Sequence, residues 1–267
     1  MIRLALRVRR ADAELALAEL LELVPEGLEE VDRGDEVEFA IYGAPGELPE
    51  LPELRAHVGG ALASISTTEL ADDWAERWRS FHRPLVLDRL VVRPPWLASP
   101  VAARPEVVIE PGRAFGTGAH ATTRLALELL LELEPGGGLL DIGCGSGVLA
   151  IAAARLGFAP VCAVDHDVDS VEITRANALA NGVALNALRV DLRRERLPGA
   201  PTVLANLVRP LLLSLAERPP EPMPEVLIVS GLLGEECDEV ARAFAPSGLR
   251  ERDRRQLAGW SALRLQQ

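Results

Sequence analysis

Leu139-Leu140-Asp141-Ile142-Gly143-Cys144-Gly145-Ser146-Gly147-Val148-Leu149-Ala150 is the stretch that decides the fold of this chain. A short apolar run carrying one acid ends in three alternating glycines, and a helical apolar pattern follows. A second apolar run, Ala159 to Val164, ends in Asp165, twenty residues beyond Gly145. The order strand, glycine loop, helix, strand, acid is that of a unit binding an adenosine-containing cofactor. Glycines allow a sharp turn and close approach of a ligand to the main chain, and an acid at the second strand end accepts both ribose hydroxyls.

The glycine spacing narrows the ligand. Dinucleotide enzymes place two residues between their second and third glycines, and the third serves close helix–strand packing. Here that position is Val148, whose branched side chain does not meet the requirement. The Asp-x-Gly-x-Gly-x-Gly form resembles motif I of class I S-adenosylmethionine-dependent methyltransferases. The resemblance implies a loop lying under the methionine part and sugar of S-adenosylmethionine, with Asp141 helping to hold the ammonium end. A tight strand-to-helix turn without a ligand is the plain alternative.

The chain has 267 residues, 48% of them hydrophobic, enough for one large domain or two smaller ones. A net charge of −12 and the lack of a basic stretch oppose direct binding to nucleic acid and suit a basic partner or simple solubility. Cys144, Cys162 and Cys237 are too few for a disulfide framework and lack metal-ligand spacing, so no metal and a reducing, cytoplasmic setting are expected. No signal peptide and no apolar run near the roughly 20 residues of a membrane helix are seen, so no membrane partner is expected. All 28 basic residues are Arg. A GC-rich genome accounts for that simply; avoidance of self-modification by an enzyme acting on lysine amines is the sharper alternative.

Along the chain, Ile2 to Arg9 alternates as a half-buried strand does, Ala11 to Val24 has helical spacing, and Gly27 to Val31 and Glu36 to Tyr42 read as strands. This predicts a small ferredoxin-like α+β domain over 1–57. Small and polar residues from Gly59 to Thr68 suggest a linker over 58–71, and the main domain over 72–267. Trp74, Trp78 and Phe81 fall on one helical face, a core stripe or a ligand platform. Strands are expected at Leu85 to Arg93 and Glu106 to Glu110, and a helix at Thr123 to Leu133. Alternating strands and helices then run from Leu139 to a last strand at Trp260 to Leu265. Such alternation predicts an α/β, Rossmann-like fold with a mostly parallel seven-stranded sheet covered on both faces. Its ligands sit at the strand carboxyl ends, where Gly143, Asp165 and Asn206 fall.

Glu110-Pro111-Gly112-Arg113-Ala114-Phe115-Gly116-Thr117-Gly118-Ala119-His120-Ala121-Thr122-Thr123 precedes this unit. Thr122 or Thr123 can cap the following helix, worth about 1 kcal/mol, but capping does not explain Phe115, Gly116, Gly118 and His120. The string resembles the A-F-G-T-G-x-H-x-T-T signature of the PrmA family, enzymes that methylate amino groups of large-subunit ribosomal protein eleven. Trp78 to Pro84, Val91 to Trp96, Val203 to Leu207, Ser230 to Leu233 and Trp260 resemble further family segments, so the likeness covers Asp72 to the C-terminus.

Carried over, the resemblance implies S-adenosylmethionine contacts at Thr123, Gly143, Gly145, Asp165 and Asn206. Phe115 and Gly116 would flank the methionine part, Asp141 its ammonium, and Asp191 would approach the adenine or act as a turn acid. The family's Ile-Asp-Pro after the ribose acid is His166-Asp167-Val168 here, and His82 stands where lysine is common. Asn206 would orient the amine, with His120 and Thr122 lining the pocket or relaying a proton. The implied partner is the ribosomal protein, free or during ribosome assembly, grasped by the small domain. A methyltransferase for another protein or small amine, a non-catalytic ribosome-assembly binder, and more distantly a nicotinamide oxidoreductase are the competing readings.

Overall fold

The structure, a computed structural model, describes residues 2–13, 16–17, 20, 28–43, 48–49, 54, 62–69, 83–101, 104–110 and 120–267. The chain divides into two units, Met1–Phe81 and His82–Gln267.

In the first unit, β1 (Ile2–Arg9), β2 (Glu29–Asp32), β3 (Glu36–Gly43) and β4 (Leu62–Glu69) form an antiparallel sheet in the order β2-β3-β1-β4. That is the strand order of a ferredoxin-like sheet. Period-two alternation sends Leu4, Leu6 and Val8 to one face, where they pack with Val37, Phe39, Ile41, Ala16, Leu20 and Leu54. The linker expectation needs correction over β4. Leu62–Glu69 pairs with β1 from Ile2↔Glu69 to Val8↔Leu62, so these residues complete the small sheet. Their serines and threonines read as loop, yet β-branched and hydroxyl side chains suit a half-exposed strand. Trp74, Trp78 and Phe81 lie outside the described residues.

In the second unit, β5 (Leu85–Val86), β6 (Val91–Arg93) and β7 (Glu106–Val108) form a three-stranded sheet. The single strand expected over Leu85 to Arg93 is two strands joined by a turn, closed where Leu87 N–H donates to Leu90 C=O at 2.9 Å. The main sheet holds β8 (Leu139–Ile142), β9 (Val161–Asp165), β10 (Asn186–Arg189), β11 (Thr202–Asn206), β12 (Val226–Leu233), β13 (Arg250–Leu257) and β14 (Trp260–Gln266). Its order is β10-β9-β8-β11-β12-β14-β13. The first five strands in that order are parallel and the last two pairings antiparallel. Helices α1 (Ala121–Leu130), α2 (Val148–Leu156), α3 (Val168–Ala180), α4 (Arg209–Glu217) and α5 (Cys237–Phe244) flank it.

Alternate residues of each central strand feed two cores. Leu139, Leu204 and Ile228 join α1, α2 and α3, whereas Leu140, Val203, Ala205, Leu227 and Val229 join α4 and α5. Burial on both faces explains the nearly continuous apolar runs. From β8 the chain winds outward through β9 and β10, then crosses back to β11 on the other side of β8. This reversal opens the crevice at the carboxyl ends of β8 and β11, the position where open parallel sheets bind ligands.

Sequence patterning did not reveal β13. Its residues, Arg-Glu-Arg-Asp-Arg-Arg-Gln-Leu, form an exposed edge strand whose charges blunt pairing with another chain. The hairpin to β14 turns at Ala258 (φ 50°) and Gly259 (φ 83°), the two left-handed residues of a tight hairpin loop.

Candidate functional site

The glycine loop connects β8 to α2. Gly143, Gly145 and Gly147 all have positive φ, at 74°, 51° and 80°, a region that other residues enter only with strain. Gly143 and Cys144 donate their N–H groups to Val164 C=O at 2.8 and 3.1 Å, tying the loop to the end of β9. There Asp165, 9% exposed, accepts from Gly145 N–H at 3.0 Å and Asp167 N–H at 3.1 Å. A carboxylate has about four acceptor sites, so capacity remains for hydroxyl donors. Asp167 caps α3 by accepting from the N–H groups of Asp169 and Ser170.

Asp141 is fully buried at the heart of β8. Its Oδ2 accepts from Ala150 N–H at 3.1 Å, while Oδ1 has no partner. Burial pushes its carboxyl up to about 7, against the opposing pull of the Ala150 N–H and with some help from the Asp165 charge. An unfolded aspartate ionises near 3.8. Between these values the folded state holds the extra proton, so its stability falls as pH rises from about 4 to about 7. Asp141→Asn keeps an acceptor for Ala150 and carries no charge. It is expected to gain on the wild type progressively across that window, by a few kcal/mol at most, and to hold the advantage at pH 8. Urea unfolding at a series of pH values measures this; parallel stability curves would refute it. Cys144 is also buried, and burial raises its thiol, so it stays protonated and is not a nucleophile.

The second half of the site enters from α1 and from β11. The helix expected from Thr123 starts at Ala121, and its N-cap is His120 rather than either threonine. Thr122 N–H donates to His120 Nδ1 at 3.3 Å, and the Thr122 hydroxyl lies 2.8 Å from the same nitrogen. With Nδ1 accepting, the ring proton is assigned to Nε2. Burial holds the ring below its ordinary pKa, so it is neutral at pH 7. The adjacent positive helix end works in the same direction. Trp260 meets the ring edge-on, with centroids 5.1 Å apart. Thr123 is fully buried and its hydroxyl has no partner.

Leu207 joins the halves. A Cβ on Gly143 would come within 2.4 Å of Leu207 Cδ2, and one on Gly231 (φ 89°) within 2.5 Å of Leu207 C=O. The residue following Asn206 is thus packed between two glycines, one from each half. Gly231 is the extra residue of a bulge where the β12–β14 register shifts between Ser230 and Leu232. Asn206 pairs in register with Ser230, and the buried Ser230 hydroxyl donates to Thr122 C=O at 2.9 Å. Ser230 is a site residue to which the sequence alone attached no role. It stood out only as part of a family-like string, and its work is done through backbone.

Of the expected site residues, Gly143, Gly145, Asp141 and Asp165 gather at β8 and β9, and Asn206 stands beside them at the end of β11. Thr122 is tied to β12 through Ser230. Asp191 accepts from Arg193 Nε and Nη2 at 3.0 and 3.3 Å, and from Arg193 N–H at 3.0 Å, in the turn after β10. Phe115 and Gly116 lie outside the described residues. Among the described residues no group of three or more His, Cys, Asp or Glu is placed to hold a metal, and no helix is long and apolar enough to cross a membrane.

Comparison with known proteins agrees with this architecture. Residues 50–267 match the family described as "Ribosomal protein L11 methyltransferase (PrmA)". The Ribosomal protein L11 methyltransferase of Pelotomaculum thermopropionicum is 38% identical over 226 residues, 81% of this chain and 73% of the relative. That of Dictyoglomus thermophilum is 33% identical over 193 residues, 71% of this chain but 64% of the relative, so the match spans somewhat under two thirds of that protein. The crystal structure of ribosomal protein L11 methylase from Lactobacillus delbrueckii subsp. bulgaricus superposes with a TM-score of 0.62 at 26% identity. It covers 68% of this chain and 96% of that one.

Proposed function

This chain belongs to the ribosomal protein L11 methyltransferase (PrmA) family, and from that membership we propose that it transfers methyl groups from S-adenosylmethionine to amino groups of ribosomal protein L11 in the cytoplasm. The observation that carries the proposal is the junction at Leu207, which packs Asn206's loop against the glycine loop. A donor site and an acceptor site so joined suit a group transfer between two substrates.

The residues fit S-adenosylmethionine. Asp165 has acceptor capacity for the ribose hydroxyls, and the partnerless Asp141 Oδ1 and Thr123 hydroxyl are buried polar atoms awaiting a ligand. Asp165 would hold the sugar, Gly143 and Gly145 would lie under the methionine part with Phe115 and Gly116 beside it, Asp141 would face the ammonium, and Asp191 would close the adenine end. When bound, the cofactor supplies a methyl group made electrophilic by its sulfonium.

The acceptor must arrive as a neutral amine. A lysine amine has a pKa of about 10.4 and an α-amine about 7.7–8.0, so the site has to favour the uncharged form. Asn206 orients the amine through its side-chain carbonyl, and positioning of this kind supplies much of the rate without a strong base. His120, neutral and with Nδ1 held by its cap, would line the pocket or relay a proton. Thr122 fixes that ring and is itself fixed by Ser230.

The small unit grasps the protein substrate. Because β4 belongs to its sheet, a clean removal has to include Leu62–Glu69. A chain lacking residues 1–69 is expected to bind S-adenosylmethionine normally and to lose most methylation of L11; full activity would sink the grasping role. The proposal as a whole is tested by incubating the protein with labelled S-adenosylmethionine and L11 and locating the label by mass spectrometry. Label on L11 amines is expected, and none on L11 would overturn it.

A further inference from the structure

Helix α3 has a polar face where a buried helix would be expected to carry apolar residues. Thr174, Asn177 and Asn181, at i, i+3 and i+7, are 0%, 8% and 3% exposed, and they share one side of the helix. Two of them are matched to backbone of the glycine loop and the third to backbone of β7. The Thr174 hydroxyl donates to Gly145 C=O at 3.0 Å, and Asn177 Nδ2 to Ser146 C=O at 2.9 Å, so both grip the glycine loop. Asn181 holds Val108 of β7 from both sides: Val108 N–H donates to Asn181 Oδ1 and Asn181 Nδ2 donates to Val108 C=O, each at 2.7 Å. Asn181 Nδ2 also donates to Asn177 C=O at 2.8 Å, which closes the chain of contacts.

These bonds act on both the glycine loop and β7. In a trans peptide the N–H points opposite to the C=O. Holding the Gly145 and Ser146 carbonyls against α3 therefore turns the Ser146 N–H away from the helix and sets the face that the loop offers to a ligand. Thr174 also fills the space beside Gly147, where a Cβ would lie 2.9 Å from its Cγ2. Buried amides bonded to backbone in this way are costly to disturb, and a network of them acts as a unit.

We infer that Thr174, Asn177 and Asn181 are positioning residues that join the glycine loop to β7, so that occupancy of the donor half and the local stability of β7 at Val108 are coupled through one face of α3. This rests on the methyltransferase reading for its purpose, but not for its mechanics. Coupling through such a network moves the opening equilibria of connected residues by about tenfold.

The test is amide hydrogen exchange on the full chain, first without ligand. Asn181→Leu removes the Val108 clamp without touching the glycine loop. Exchange is expected to quicken about tenfold at Glu106–Val108 and also at Gly145–Ala150. Acceleration confined to β7 overturns the inference. The effect of Asn177→Ala, which releases the Ser146 carbonyl and keeps the Asn177 C=O that Asn181 uses, has to spread from the loop to Val108 in the same way; confinement to the loop again overturns it.

A second arm adds S-adenosylmethionine. Wild-type protein is expected to slow its exchange at Val108 on binding, and Asn177→Ala to slow it only at the glycine loop. Equal protection of Val108 in both refutes the coupling. If the wild type fails to bind S-adenosylmethionine at all, the methyltransferase reading falls, while the ligand-free arm still decides whether the coupling exists.

Discussion

Asp165→Ala is expected to weaken S-adenosylmethionine binding by about a hundredfold while the chain stays folded. Hydrogen bonds to a charged acceptor are worth about 1.5–3 kcal/mol each. Two ribose hydroxyls on one carboxylate, counted conservatively because such pairs are not additive, give about 3 kcal/mol, or roughly two powers of ten in affinity. The substitution also frees Gly145 N–H and Asp167 N–H, which now rest on that carboxylate. Some of the loss will therefore come from a loosened loop. Asp165→Asn separates the two contributions, since it keeps an acceptor for one backbone N–H but not the charge. It should fall between the wild type and alanine. Calorimetric titration giving unchanged affinity for Asp165→Ala would remove the ribose assignment.

That prediction was available from the sequence because strand, loop and acid are local features. Gly143, Gly145, Gly147 and Asp165 lie within one strand–helix–strand unit, and its spacing is set by backbone geometry alone. The parallel sheet was equally readable, since burial of both faces forces apolar runs whose lengths distinguish strands from helices. Residues whose neighbours lie far along the chain were not readable. Ser230 meets Thr122 across 108 positions, and Asn181 meets Val108 across 73. Nothing in composition or periodicity signals such pairs. On α3 only Val171 and Ala178 carry the apolar stripe of a helix packed on a core, because the buried Thr174 and Asn177 serve carbonyls instead of hydrocarbon.

The other misreadings have physical causes of the same kind. β4 and β13 are strands without an apolar face pattern, one built from hydroxyl side chains and the other from charges, and each is held mainly by pairing to a single neighbour. The start of α1 was set two residues late because threonine is the commoner cap. Histidine takes the role here through Nδ1, while the Thr122 C=O accepts from the Ser230 hydroxyl.

Asn206→Ala is expected to reduce the single-turnover rate of methyl transfer by about 10²–10³-fold, the cost of losing one well-placed polar group at the reacting centre. The S-adenosylmethionine affinity should change far less, because its main anchors lie on β8 and β9. The loss should be nearly independent of pH, since alanine alters orientation and not the charge felt by the amine. Asn206→Asp offers the contrasting case. It keeps an oxygen that can accept from the amine, but its negative charge favours the protonated ammonium. Its rate should therefore recover as pH rises, with the pH–rate profile displaced upward relative to the wild type. A wild-type rate in Asn206→Ala would end the catalytic assignment. An undisplaced profile in Asn206→Asp would mean that Asn206 does not face the amine. The two variants together distinguish a residue that orients a neutral nucleophile from one that merely completes β11, because a purely structural role would slow both without moving either profile.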